Sequence, residues 1–322
     1  MLTSPDDIYD VMNKALKLAS SGRKGPVWID IPLDIQSALI TPTNTNSSNP
    51  TKDFNFTNDQ LIPTQSELEY VNNALAASER PVVLIGRGVK FPHTNNSIKK
   101  FVETNNLPVT FTASNPDSYG AGNQLSIGSV GSMGCSRAGN FAVANSDLLL
   151  ILGSRLTPLT TGNEFCKFAR EAKIIVIDID PEEHKKPGIS IDKFIHADLN
   201  TFVGMLSVPA RTKSITPWVE KCIHWKQYFS TVEPSFNSNS SIDLYQLSYA
   251  LSEKLPRPSI LITDSGLAEV ILPSNVRFYE GMQCIHPASQ GAMGFALPAA
   301  IGASCVSKYP ILAVIGDGSI MM

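Results

Sequence analysis

The chain has little charge, few cysteines and no long apolar run, and each shortage excludes a class of protein. Charged residues make up 17% of the 322 residues and the net charge is −3, so no surface for nucleic acid or for an anionic membrane is expected. The five cysteines are odd in number and include no Cys-x-x-Cys pair, which favours reduced thiols in a cytoplasmic protein over a disulfide framework. The longest apolar stretch, residues 292–306, is too short to span a bilayer.

An apolar strand pattern near the end of the chain runs into two glycines that flank an aspartate. Residues 309–315 have the composition of a buried parallel strand, and Gly316-Asp317-Gly318-Ser319 follows it. Open α/β sheets bind ligands at the carboxyl ends of their strands, where glycines let a large anion approach the backbone and a carboxylate can hold Mg²⁺. A tight Asp-Gly turn after a strand has the same pattern, so the tetrapeptide alone leaves both interpretations open.

The segment before that strand makes the cofactor interpretation specific. Residues 289–303, with the sequence SQGAMGFALPAAIGA, lead directly into the strand. This combination resembles the thiamine-diphosphate-dependent enzymes, in particular those like acetohydroxyacid synthase, the acetolactate synthase large subunit. The resemblance implies that Met293 wedges the cofactor into its bent shape, that the Gly291 carbonyl meets the aminopyrimidine, and that Asp317 binds Mg²⁺. The alternative for Met293 is an ordinary core methionine.

The same resemblance places the diphosphate between two strand ends. A strand pattern at residues 259–263 ends at Asp264-Ser265-Gly266, where the family presents an acid, a small residue and a glycine whose backbone N–H groups meet the diphosphate. Gly316, Gly318 and Ser319 would complete the cofactor site beside the metal ligand.

Two residues depart from the family pattern near this site. The position after the diphosphate glycine is often polar, whereas this chain has Leu267, so that contact would come from the backbone or be lost. His286 stands where relatives often have threonine or serine, and it could titrate near neutral pH and act on a substrate, or it could be structural.

We expect an α/β protein whose doubly wound, parallel-sheet central domain is flanked by partial thiamine-diphosphate-binding α/β domains. Helix and strand patterns alternate through the central part in the manner of a six-stranded sheet. The predicted order is the C-terminal end of a pyrimidine-binding domain (1–40), a linker (41–64), the central domain (65–208), a linker with a helix (209–241) and the N-terminal part of a diphosphate-binding domain (242–322).

Local patterns predict the main elements of these domains. The first segment is predicted to form an amphipathic helix over residues 8–19 and a strand over 26–32, the latter within GPVWIDIPLD, which resembles the end of the family's pyrimidine domain. Further strands are predicted at 81–86, 108–111, 148–152 and 173–178. Further helices are predicted at 66–77, 96–104, 219–229 and 242–255.

The central domain resembles the one that holds FAD in acetohydroxyacid synthases, yet two elements of a dinucleotide site are missing. Gly86-Arg87-Gly88 follows the first central strand, but Phe91 stands where a fingerprint has its third glycine. Flavin-containing members carry Phe-Asp-Asp-Arg after a later strand, whereas Leu-Thr-Pro-Leu at 156–159 follows Arg155 here, so that arginine is absent. We expect no tightly bound FAD. Arg155 could serve a nucleotide or a salt bridge, and Asp178 and Asp180 could cap a loop.

The function that the resemblance implies is decarboxylation and carboligation of 2-oxo acids by a lyase or transferase dependent on thiamine diphosphate and Mg²⁺. The family's activating glutamate belongs to the pyrimidine domain, and the asparagine that completes the metal site follows the Gly-Asp-Gly loop, so these 322 residues contain no assigned catalytic residue and are expected to be inactive alone. Because family active sites form between subunits, a homodimer or homotetramer is implied. An FAD- or NAD-binding module and a non-catalytic subunit of the same fold are the alternatives.

Overall fold

The computed structural model describes residues 1–40, 61–90, 94–211, 213–233 and 241–322, and it divides into two compact units, residues 1–61 and 62–322. Most of the first predicted linker (41–60), Phe91, and residues 212 and 234–240 of the second linker lie outside the described residues. In the first unit, helix α1 spans Ile8–Ser20 and the short helix α2 spans Leu33–Gln36. The helix predicted at residues 8–19 is therefore confirmed.

The strand predicted at residues 26–32 is wrong. Those residues have no regular secondary structure, and Trp28 is 87% exposed. The Leu2 N–H donates to the Asp30 carbonyl at 2.8 Å, but the described part of this unit contains no strand ladder. An apolar, β-branched segment forms a strand only when a neighbouring strand pairs with its backbone N–H and C=O groups. The local sequence does not show whether such a neighbour is present.

A six-stranded sheet forms the centre of the second unit. Its strands are β1 (Pro81–Ile85), β2 (Val109–Thr112), β3 (Ser126–Val130), β4 (Leu148–Leu152), β5 (Lys173–Asp178) and β6 (Lys193–His196). The order β3-β2-β1-β4-β5-β6, with every pair parallel, is doubly wound and reverses direction between β1 and β4. The predicted fold class is confirmed.

Helices cover both faces of this sheet. They are α3 (Gln65–Ala77), α4 (Thr94–Thr104), α5 (Arg137–Ala144), α6 (Pro158–Thr161), α7 (Leu199–Met205) and α8 (Thr216–Tyr228). A reciprocal capping box begins α3, because the Glu67 N–H donates to the Thr64 hydroxyl and the Thr64 N–H donates to the Glu67 carboxylate. Alternate residues of β1 enter different cores: Val83 and Ile85 pack with α3 and α4, and Val82 and Leu84 pack with α5.

A smaller parallel sheet follows in the same unit. Its strands are β7 (Ser259–Thr263), β8 (Met282–Ile285) and β9 (Ile311–Val314), in the order β8-β7-β9, and its helices are α9 (Leu244–Lys254), α10 (Leu267–Asn275) and α11 (Ala296–Val306). The strands predicted at 259–263 and 309–315 are confirmed, the second with shorter ends. Strand β3 of the first sheet contacts helix α10, which packs on the second sheet, through a hydrogen bond of 2.9 Å from the Ser129 hydroxyl to the Ser274 carbonyl.

All five cysteines are free thiols in this structure. Across the described ranges, no helix combines the length and apolar character needed to cross a membrane.

Candidate functional site

Three strand ends of the smaller sheet deliver the predicted site residues to one edge. β7 pairs in parallel with β9, so that Thr263 lies opposite Val314, and with β8, so that Ile262 lies opposite Ile285. The chain then leaves β7 through Asp264-Ser265-Gly266, β9 through residues 315–319, and β8 at His286. The carboxyl ends of parallel strands form the crevice in which such sheets bind ligands. The predicted diphosphate and metal positions are therefore brought together.

Gly266 forms an open backbone cradle at the start of α10. It is the N-cap of this helix, with φ of 91° and ψ of −157°, a conformation that only glycine adopts without strain. A Cβ at Gly266 would have no atom within 4 Å, so the space in front of the backbone is free. Helix N-termini present unpaired N–H groups and a partial positive charge, which suits a phosphate. Leu267, at the first helical position, is 68% exposed and offers no polar side chain.

Asp317 presents its carboxylate at the neighbouring loop. The side chain is exposed, and its Oδ1 accepts a hydrogen bond from the Gly318 N–H at 2.9 Å. In the part of the chain that the structure describes, no three His, Cys, Asp or Glu side chains converge on a metal site. Mg²⁺ requires about six oxygen ligands and commonly takes most of them from water and substrate phosphates. One carboxylate beside an open phosphate cradle fits such a shared ion.

The organising residue of the site is Asp264, whose carboxylate faces inward rather than toward a ligand. The side chain is fully buried, and its Oδ1 accepts from the N–H groups of Ser265 at 2.8 Å and Gly294 at 3.2 Å. Its Oδ2 accepts from the Ala296 N–H at 2.7 Å, and the Ser319 hydroxyl donates a further hydrogen bond. One carboxylate thus ties together the loop after β7, the loop before α11 and the loop after β9.

These donors set the charge state of Asp264. Burial alone would raise its pKa, but the hydrogen bonds from the backbone of Ala296, Ser265 and Gly294 and from Ser319 hold the pKa below its usual value. Ser319 is buried, and because its hydroxyl is engaged by Asp264, it can reach a ligand only through its backbone.

The loop between β8 and α11 carries the residues expected to meet the cofactor rings. Gly291 and Gly294 have φ values of 57° and 79°, which explains both glycines. Met293 lies between them and is 53% exposed, so the alternative of an ordinary core methionine is wrong. A Cβ at Gly291 would lie 3.2 Å from Oε2 of Glu269, in the first turn of α10. The sequence analysis did not single out Glu269, although an acid in the first helical turn after Gly266 is visible in the sequence.

His286 is buried at the end of β8 and its charge differs from the sequence expectation. Burial, together with the charges of Arg87 and Lys90, lowers the pKa of its imidazole to about 3, so the ring is neutral at neutral pH. Its Nδ1 lies 4.0 Å from Oε1 of Glu269, beyond hydrogen-bond distance. The pKa of Glu269 is raised by burial and by the nearby Asp264. The expectation that His286 could titrate near neutral pH is wrong.

The nucleotide-like features of the central domain have structural explanations. The backbone of Gly86 and Gly88 packs directly on Gly153 across the switch point, and a Cβ at Gly86 would collide with the Gly153 carbonyl. Arg155 forms a salt bridge from its Nε to Glu183 Oε2 at 3.0 Å. Asp178 accepts a hydrogen bond from the backbone of residue 180 at 3.0 Å, so the loop-capping interpretation is confirmed.

Taken together, the crevice suits a large ligand with an anionic end and an apolar end. The anionic end would meet the backbone at Gly266 and a metal held by Asp317, and the apolar end would meet the exposed Met293.

Comparison with known proteins finds a family match in each of the two sheet-containing regions. Residues 68–206 match the family described as "Thiamine pyrophosphate enzyme, central domain", and residues 264–322 match "Thiamine pyrophosphate enzyme, C-terminal TPP binding domain". These two matches together cover more than half of the chain.

Individual proteins similar to this chain are acetolactate synthases. The chain is 32% identical over 324 residues to "Acetolactate synthase 1, chloroplastic" of Zea mays, covering 98% of this chain and 49% of the relative. It is 28% identical over 325 residues to "Acetolactate synthase isozyme 2 large subunit" of Escherichia coli (strain K12), covering 100% of this chain and 56% of the relative. The chain therefore spans about half the length of the curated relatives it matches.

Proposed function

The chain belongs to the thiamine pyrophosphate enzymes, and from this premise we propose that the crevice at the carboxyl ends of β7 and β9 binds thiamine pyrophosphate with Mg²⁺. One observation carries the proposal: the open backbone cradle at Gly266 and the exposed carboxylate of Asp317 follow two paired strands at the same sheet edge. The first suits a diphosphate and the second suits the metal that neutralises it.

Each residue of the crevice has a role in this proposal. Gly266 and Gly318 let the diphosphate approach the backbone, and Asp317 supplies a protein ligand to Mg²⁺. Met293 packs against the cofactor rings, and the Gly291 carbonyl accepts from the aminopyrimidine. Ser319 contributes through its backbone, since its hydroxyl is held by the buried acid that organises the loops.

We further propose that the activity resembles that of the acetolactate synthases: decarboxylation of a 2-oxo acid and ligation of the remaining fragment to a second carbonyl compound. The names of the relatives in maize and Escherichia coli support this reaction class. When bound, thiamine pyrophosphate supplies carbanion chemistry next to a keto carbon. The chain's own contribution is to position the reactants, through loops that Asp264 holds at fixed distances from one another.

The central domain is proposed to hold no tightly bound FAD. The sequence supports this, because Leu-Thr-Pro-Leu at 156–159 lacks the arginine of the flavin-containing members, and Arg155 is paired with Glu183. Absorbance near 450 nm in the purified protein would contradict it.

Self-association and a cytoplasmic location are also proposed. Helix α11 is composed almost entirely of apolar and small residues, yet Leu297 and Ile301 are 45% and 59% exposed, which supports further protein packing on it. Light scattering tests for the expected homodimer or homotetramer. The five free cysteines are compatible with a reducing compartment.

Calorimetric titration with thiamine pyrophosphate and Mg²⁺ tests the cofactor site, and the chain offers a matched control. Gly162 has φ of 76° and ψ of 178°, close to the angles of Gly266, and a Cβ at either position meets nothing within 4 Å. Gly266→Ala and Gly162→Ala should therefore carry similar backbone strain, on the order of 1–3 kcal/mol. Only Gly266→Ala should weaken cofactor binding, by at least about tenfold, because its methyl group occupies the cradle.

Asp317→Ala should remove the Mg²⁺ dependence of binding while leaving the fold intact, since the carboxylate is exposed. Cofactor affinities that are equal in wild type, Gly266→Ala and Asp317→Ala would refute the site. Absence of cofactor binding by the wild type would refute the proposed function as a whole.

A further inference from the structure

Loops from both sheets meet beside His286. The Lys90 ammonium, after β1, donates to the Cys284 carbonyl at 3.3 Å and pairs with Asp117, after β2, at 2.5 Å. The Asp117 Oδ2 in turn accepts from the Cys284 N–H at 2.8 Å. Since Cys284 precedes His286 by two residues, these contacts fix the central loops against the end of β8.

His286 has no hydrogen-bond partner of normal geometry in this junction. The residue is 5% exposed, and within the described ranges neither ring nitrogen is satisfied, although the Ser114 carbonyl is near enough to favour the protonated ring. Asn115 follows Ser114 in the chain, and its side-chain amide nitrogen Nδ2 is likewise buried without a hydrogen-bond partner among the described residues. An unpaired buried polar group costs about 1–3 kcal/mol, so native proteins rarely leave one without a water or ligand.

Among the described residues, Lys90 and Arg87 are the cations whose charges act on His286, and they differ in their partners. Lys90 is neutralised by Asp117, whereas Arg87, in the same loop, is exposed and donates only one long hydrogen bond, from Nη1 to the Ser114 carbonyl at 3.4 Å. No carboxylate in the described parts of the chain pairs with Arg87. Glu269 faces the imidazole from α10, with its Oε1 4.0 Å from Nδ1, which is beyond hydrogen-bond distance. A guanidinium fork matches a carboxylate, and a neutral imidazole can donate to a carbonyl oxygen.

We propose that Arg87 and His286 form the subsite for the 2-oxo acid itself, with Arg87 holding the carboxylate and His286 donating to the keto oxygen. This assignment rests on the proposed function, because it takes the substrate class from there. It makes Arg87 the residue that distinguishes an anionic 2-oxo acid from an uncharged ketone or ester. Both residues lie outside the diphosphate and metal positions, so substrate and cofactor recognition are separable by mutation.

Binding of pyruvate and of its uncharged methyl ester tests the subsite without turnover. Titrations are followed by calorimetry and by the ¹⁵N signals of the histidine rings, on protein without thiamine pyrophosphate. Arg87→Gln should weaken pyruvate binding at least tenfold and leave methyl pyruvate unchanged. Arg170→Gln is the matched control, because Arg170 is also exposed but precedes β5 at the other edge of the sheet, and it should change neither affinity. His286→Asn should weaken both ligands, since both carry the keto oxygen.

The possible outcomes distinguish a failure of the substrate subsite from a failure of the proposed cofactor site. Pyruvate binding with the predicted Arg87 effect, in a protein that does not bind thiamine pyrophosphate, would support the subsite and refute the proposed function. Cofactor binding without pyruvate binding, or an Arg87→Gln variant that affects both ligands equally or neither, would overturn the subsite. A failure of His286→Asn to fold would leave the decision to Arg87→Gln, whose exposed side chain is not needed for folding.

Discussion

Asp264→Asn is the substitution that tests most directly how the cofactor loops are held. The wild-type carboxylate accepts from Ser265, Gly294, Ala296 and the Ser319 hydroxyl while fully buried. Hydrogen bonds to a charged group contribute about 1.5–3 kcal/mol each, and an unsatisfied buried donor costs about 1–3 kcal/mol. The asparagine retains one carbonyl oxygen, but its NH₂ group must replace the other oxygen and then faces at least one N–H donor. We therefore expect a loss of about 3 kcal/mol in the free energy of unfolding.

Urea unfolding measures that loss, and hydrogen exchange at the amides of Gly294 and Ala296 measures it locally. The matched control is Asp317→Asn, which makes the same change in an exposed side chain on the same sheet edge and should leave the urea midpoint unchanged. Equal midpoints for Asp264→Asn and wild type, with unchanged exchange at both amides, would refute the organising role.

The pH dependence of stability independently checks the direction of the Asp264 pKa shift. Because the folded pKa of Asp264 is lowered, its contribution is fully present above the unfolded carboxyl value of about 3.9 and is lost as the pH falls through the lower folded pKa. The stability difference between wild type and Asp264→Asn should therefore shrink below about pH 4. A difference that instead grows in acid would contradict the lowered pKa.

Three further predictions follow from the same contacts. In an enzyme that also contains the pyrimidine-binding domain, Met293→Ala should lower turnover per cofactor-bound site by about tenfold or more, because the orientation of the cofactor rings is lost. The urea midpoint should barely change, because the side chain is half exposed, and a large midpoint shift would argue for a core role. Asp117→Ala should lower the free energy of unfolding by about 3 kcal/mol, because it leaves the half-buried Lys90 ammonium without its carboxylate. Glu79→Ala, which removes an exposed ion pair with Lys213, should not change the urea midpoint. The folded His286 ring should stay neutral in ¹⁵N spectra down to about pH 3, whereas the ring in the unfolded chain protonates at about pH 6.5. The free energy of unfolding should therefore fall as the pH drops between these two values, and protonation of the folded ring near pH 6 would contradict this.

Much of the fold could be predicted because its signals are local. Runs such as LLLIL at 148–152 form strands buried on both faces, and this burial is what a continuous apolar run predicts. The segment at 26–32 also contains β-branched and aromatic residues but forms no strand, because a strand needs a partner and the local sequence does not supply one. The alternating pattern predicted the class of sheet, and the parallel pairing followed from the length of the crossover connections.

The features of the candidate site likewise fall into those that the sequence determined and those that depended on folding. The sequence by itself determined the residue types: glycines where the backbone has positive φ, an exposed acid after β9 and an acid after β7. Only the tertiary structure decided that Asp264 faces inward, since three of its four donors, at Gly294, Ala296 and Ser319, lie about thirty or more residues later. It also decided that His286 is neutral, because its pKa is lowered by burial and by cations from a loop about two hundred residues earlier in the chain. Charge and hydrogen-bonding direction depend on neighbours brought together by folding, and no local pattern contains them.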